Sequence, residues 1–154
     1  MDKEHGNMEI LVEKYRAEVD RLAVYLPWLE QNTGMNTTSV YDAQGDLQKT
    51  IQVPVYDSNL LRFVKEASKM QLMNRNYAYV YSRNRIHGSQ DELRLINAAT
   101  AKEFDILAGI LSQYVLYGQT KGVVWSEGVK NGVLLAVVRK MKEIIEFWGQ
   151  KYER

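Results

Sequence analysis

Cysteine is absent from the 154 residues. That excludes a disulfide frame, a thiolate nucleophile and any Cys-based zinc or iron–sulfur site, and it fits a reducing compartment. Histidine occurs only as His5 and His87, the first expected in a frayed tail and the second on a polar turn, so a histidine dyad or a facial metal triad is hard to build. No apolar run approaches the roughly 18 residues of a membrane span. The opening MDKEHGNMEI lacks the basic start and apolar stretch of a secretory signal. A cytoplasmic protein without a membrane partner is therefore expected, and the glycosylation match at Asn36-Thr37-Thr38 carries no meaning there. Phosphate loops, nucleophile elbows, metalloprotease helix motifs and calcium loops are also missing. No catalytic residue, metal or cofactor is expected, and the reading leans away from an enzyme.

What remains is ordinary globular composition, 45% hydrophobic and 25% charged with a net charge of +1, enough to argue against intrinsic disorder. A chain of this length buries roughly two-thirds of its unfolded surface without a staple. One helical domain over residues 1–154 is expected, with 1–7 disordered.

Apolar residues at helical spacing, from Met8 and Leu11 to Leu26 and Leu29, mark a first helix that Pro27 should kink or end near Tyr25 to Trp28. Ser39-Val40-Tyr41 and Thr50-Ile51-Gln52-Val53 flank a polar stretch. They read as a small β-hairpin insertion over about 38–54, with its turn at Gln44-Gly45-Asp46 and Pro54 closing it. Asp57 or Ser58 should cap a helix running to about Met73. Tyr77, Tyr79 and Tyr81 alternate like a strand, but the segment 76–86 also suits a short helix, which is the reading adopted.

Ser89-Gln90-Asp91-Glu92 and Thr100-Ala101-Lys102-Glu103 each match a capping box, so each should open a helix. The second should end at a left-handed Gly118. A last, central helix should start at Ser126 and stop at Gly149, with Gly128 and Gly132 inside it in close backbone contact, beside Gly109. The fold class is thus mainly α, a bundle of five or six helices with one hairpin.

The run Asn76-Tyr77, Leu95 to Thr100, Ile106 to Val115, Gly118, Gly122, Trp125, Glu127-Gly128 and Gly132 to Leu135 resembles a bacterial family of short helical proteins of unknown function, over about residues 76–146. Where that family carries an Arg-Phe pair before the final helix, this chain has Thr120-Lys121. The resemblance implies a fold segment and no activity.

The candidate chemistry is sparse. Gly118-Gln119-Thr120-Lys121-Gly122 lacks nucleotide-loop spacing and reads as a turn. Glu143 and Glu146 with Lys140 and Lys142 read as a solvated face, while Asp91, Glu92 and Glu103 read as helix-start residues. Charge, however, is divided. Residues 1–31 carry seven acidic and four basic side chains, whereas 60–90 carry Arg62, Lys65, Lys69, Arg75, Arg83 and Arg85 against Glu66. Interleaved with tyrosines, those six could contact phosphates and bases. The competing reading packs the tyrosines inside and pairs the basic groups with the acidic first helix, within one chain or across a dimer. Trp28, Trp125 and Trp148 lie at element boundaries as core closers or interface anchors, and Tyr117, Lys121 and Trp125 could line a small-molecule pocket. The expectation is a non-enzymatic protein-interaction module, self-associating as a homodimer or binding another protein. Nucleic-acid binding and a ligand pocket are the alternatives.

Overall fold

Eight α-helices and a two-stranded ribbon form the computed structural model, which describes residues 3–44 and 50–152, with side chains over 8–39 and 55–149. The first helix, α1 (Lys3–Ala23), buries the expected stripe of Met8, Val12, Val19 and Leu22. It begins ahead of that stripe, at Lys3. The chain turns at Val24-Tyr25, and Pro27 enters α2 (Leu26–Asn32) in its first turn, where a missing amide hydrogen leaves no helical carbonyl unpaired.

The ribbon is antiparallel, β1 (Thr38–Gln44) against β2 (Thr50–Tyr56), with Thr38 opposite Tyr56 and Val40 opposite Pro54. Pro54 therefore lies inside β2 instead of closing it, which a ribbon tolerates because both of its strands are edges. Of the expected turn, Gly45 and Asp46 lie outside the described residues. At the base of the ribbon the Tyr56 ring meets Trp125 edge-on, centroids 5.5 Å apart.

Asp57 caps α3 (Ser58–Ala67), its Oδ1 accepting from the Asn59 amide at 2.7 Å. The helix stops short of the expected Met73 for a physical reason. The amides of Gln71 and Leu72 donate to the buried Glu18 carboxylate at 2.9 and 3.0 Å, so α1 supplies the acceptors that a continuing helix would draw from its own carbonyls. The adopted helix at 76–86 is present as α4 (Tyr77–Arg83).

Next come α5 (Ser89–Ala98), a 3₁₀ turn (Ala101–Glu103), α6 (Phe104–Ser112) and a π-helical turn (Gln113–Tyr117). The Thr100–Glu103 capping box forms as expected. The Ser89–Glu92 box does not: Gly88 is the cap residue, Ser89 is already helical, and Glu92 is buried. Gly118 is right-handed (φ −61), not a left-handed cap.

The single last helix expected from Ser126 is two, α7 (Val123–Lys130) and α8 (Val133–Tyr152). The break is Gly132 at φ +81, a conformation that a residue without Cβ adopts freely. Ser126 sits inside α7 and donates to the Val123 carbonyl at 3.1 Å, while Asn131 Oδ1 takes over the capping task by accepting from the Val133 amide at 2.9 Å. Nor does Gly149 stop α8, which continues past it to Tyr152. Gly109 does not face Gly128 or Gly132: a Cβ there would lie 2.7 Å from Val80 Cγ1, so it serves the approach of α4 to α6.

The splits at Pro27 and Gly132 account for part of the difference between eight helices and the expected five or six. The fold class stands, mainly helical with one small hairpin. α8 is central as expected, packing against α1, α2, α5, α6 and α7. Leu22, Phe63, Leu107, Leu111, Leu134, Met141 and Ile145 are fully buried in one continuous core, each contributing about 1.5–3 kcal/mol of apolar burial. Among the described residues, no helix is long and apolar enough to cross a membrane.

Candidate functional site

Glu92, only 4% exposed, is a carboxylate held among aromatic side chains. Its Oε1 accepts from the Tyr114 hydroxyl at 2.6 Å, and its Oε2 accepts from the Tyr81 hydroxyl in a short hydrogen bond. Burial, reinforced by the neighbouring carboxylate, pushes both phenols well above their ordinary pKa. Both keep their protons and act as donors, leaving the Glu92 oxygens as acceptors. Asn131 completes the set, its Nδ2 donating to the Tyr114 oxygen at 3.1 Å.

Three local features position these groups. Tyr114 sits on the π-helical turn, a rare geometry frequent at functional sites. Its ring lies against Gly128, where a Cβ would come within 2.6 Å of Tyr114 Cδ1. After α4 the amides of Ile86 and Arg85 donate to the Tyr81 and Ser82 carbonyls, at 3.0 and 3.3 Å. This is the Schellman arrangement, and it requires a left-handed residue at position 85. Arg85 occupies it at φ 54, the one described non-glycine residue with a positive φ.

Above the network opens a cleft of about 430 Å³, lined by Tyr81, Ile86, His87, Gly88, Ser89, Glu92, Gln113, Tyr114, Val124, Glu127 and Asn131. Among the described residues that line it there is no lysine or arginine. The His87 amide donates to Asp91 at 2.9 Å and, with Arg94 at 3.0 Å, holds the Asp91 carboxyl below its ordinary pKa. Among the described residues, no group of three His, Asp or Glu side chains could hold a metal ion.

A second depression, about 560 Å³, is mostly apolar. Met8 of α1, Ala99 and Ala101 of the α5–α6 connection, and Ile144 of α8 are its buried lining residues. Phe147 and Trp148 form an aromatic wall, their rings edge to face at 5.4 Å. Phe147 is 62% exposed. Lys102, Lys140 and Glu143 also line it, with Lys140 3.8 Å from Glu143 and 3.3 Å from the Asn97 carbonyl.

The residues singled out in the sequence are dispersed over this surface. Arg62, Lys65 and Lys69 share a shallow cleft with Arg21, Tyr25 and Glu66, the last accepting from the Tyr25 hydroxyl at 2.8 Å. Arg75 lines a second cleft and Arg83 a third, next to the exposed Tyr79, while Arg85 stands at the α4–α5 turn. None of the described ion pairs joins these six to α1.

Trp125 donates to the Val115 carbonyl at 3.1 Å and closes the ribbon onto the helices. Trp28 is half-buried against the core. Tyr117 and Lys121 are exposed, and the cleft beside the last helices is lined instead by Gln113, Tyr114, Val124, Glu127 and Asn131. Trp148 alone of the expected anchors borders the apolar groove. Sequence reading missed Glu92 as a site residue, because its spacing from Ser89 matches a cap and its partners lie 11 and 22 residues away. No family model, curated protein or solved structure matches this chain.

Proposed function

We propose that the protein is a cytoplasmic, non-enzymatic interaction module that self-associates as a homodimer through the groove beside Phe147 and Trp148. The supporting observation is Phe147, a large aromatic 62% exposed at the edge of an apolar depression of about 560 Å³. A two-fold axis would place each copy's Phe147 against its partner's groove, so the same surface serves as donor and acceptor of the anchor. Charge favours a second copy as the occupant. Lys102, Lys140 and Glu143 give the groove both signs, and Lys142 with Glu146 continues the mixture on α8 at 3.4 Å, so the surface is complementary to itself. The cytoplasmic placement rests on the cysteine-free composition.

Light scattering across a concentration series tests this reading. The wild-type chain is expected to move from monomer to dimer as concentration rises, and Phe147→Glu, at an exposed position, should remain monomeric with unchanged helicity. A wild-type chain monomeric at every concentration, or a Phe147→Glu variant that dimerises equally well, overturns it. Tight retention of a different protein by a monomeric chain would replace the second copy with a foreign partner.

A further inference from the structure

The Glu92 cleft has no task in the dimer. Its floor is a buried carboxylate whose described partners are two neutral phenols, with no lysine or arginine among the described residues that line the cleft. Taking a charge out of water costs several kcal/mol unless an opposite charge compensates it. Elsewhere the fold spends such a group on its own backbone, as with Glu18, but at Glu92 the donors among the described residues are side chains. The cleft adds Glu127 at its edge and two tyrosines at its base, and a negative, low-dielectric concavity concentrates cations. Phenol rings add attraction for a cation lying over their faces.

We infer that this cleft binds a small organic cation, an ammonium or guanidinium group whose N–H donors reach Glu92 while Glu127 neutralises the outer end of the ligand. The volume of about 430 Å³ lies within the range of small-molecule sites. Each Glu92 oxygen accepts one phenol hydrogen bond and has a lone pair left for a ligand donor. A metal ion is the poorer occupant, since the described residues offer no three-ligand set.

Isothermal titration of the wild-type chain with agmatine and with putrescine tests the inference, with 1,4-butanediol and succinate as neutral and anionic probes of similar length. At least one of the two cations is expected to bind saturably, with affinity falling as salt rises, while neither control binds. Glu92→Gln should weaken the cation about tenfold to a hundredfold, the loss of a charge-assisted hydrogen bond. Glu127→Gln, at an exposed position where folding is not at stake, should weaken it by a smaller factor and serves if Glu92→Gln fails to fold. Absence of binding by both cations, binding of succinate, or affinity unchanged in both variants overturns the inference. Dimerisation measured on the same samples is expected to be unaffected, which separates this site from the groove.

Discussion

Two buried carboxylates in this molecule are used in opposite ways. Glu18, 9% exposed on α1, accepts from the backbone amides of Gln71 and Leu72 and so ends the α3 segment. Glu92 accepts from the hydroxyls of Tyr81 and Tyr114 at the floor of a cleft. Every residue but proline carries a backbone amide whatever its side chain, and a buried one must find an acceptor. The whole Glu92 network, carboxylate and phenols together, can be replaced by apolar side chains of similar shape at little cost in stability. The first arrangement is what folding demands. The second is more than folding demands, and this makes Glu92 the better candidate for a ligand contact.

Truncation should show the largest contrast. Glu18→Ala leaves the buried Leu72 amide with no acceptor and the Gln71 amide dependent on water. Urea unfolding should register a loss of about 3 kcal/mol, the combined value of two hydrogen bonds to a charged group less partial rehydration. A loss under about 1 kcal/mol would mean that the 68–76 segment holds its turn without Glu18, and the contrast would dissolve.

The amide substitutions sharpen the comparison at a smaller scale. Glutamine has one acceptor oxygen and an NH₂ donor, so at position 18 it satisfies one backbone amide and confronts the other with a second donor. At position 92 the phenols adapt, because a hydroxyl can turn and accept from the new NH₂. Glu18→Gln should therefore cost about 1–2 kcal/mol and Glu92→Gln under about 1 kcal/mol. The reverse order in parallel urea titrations would show that the Glu92 charge is itself structural.

How far each carboxylate could be read from the sequence follows from the range of its contacts. Local devices were readable: the break at Pro27, Asp57 as cap, the Thr100–Glu103 box, and the buried stripe of α8 all rest on residues within a turn or two. Ser89-x-x-Glu92 has the same spacing as the true box, yet Glu92 is buried because Tyr114 and Tyr81 offer it hydroxyls that no local rule reveals. Glu18 looked like one more acidic residue on α1, its partners lying 53 and 54 residues away. The end of α3 at Ala67 depends on those same distant contacts. By spacing alone Gly132 fits a helix interior, yet its φ of +81 breaks α7 from α8.

The smallest expected effect concerns strain, which also distinguishes the two regions. Leading into Glu92, the α4–α5 turn holds Arg85 at φ 54, whereas the other described left-handed positions, Gly34 and Gly132, carry glycine. A side chain in that region costs about 1–2 kcal/mol, part of which is returned because glycine is the more flexible residue when unfolded. Arg85→Gly should therefore stabilise the protein by about 0.5–1 kcal/mol, measured as a rise in the urea midpoint with unchanged slope. The turn also supplies Ile86, His87 and Gly88 to the cleft wall, so a relaxed turn leaves the network intact if backbone geometry alone places it. A loss of stability in Arg85→Gly would instead assign the exposed guanidinium a contact that outweighs its strain. The cleft would then depend on that side chain as well as on Glu92.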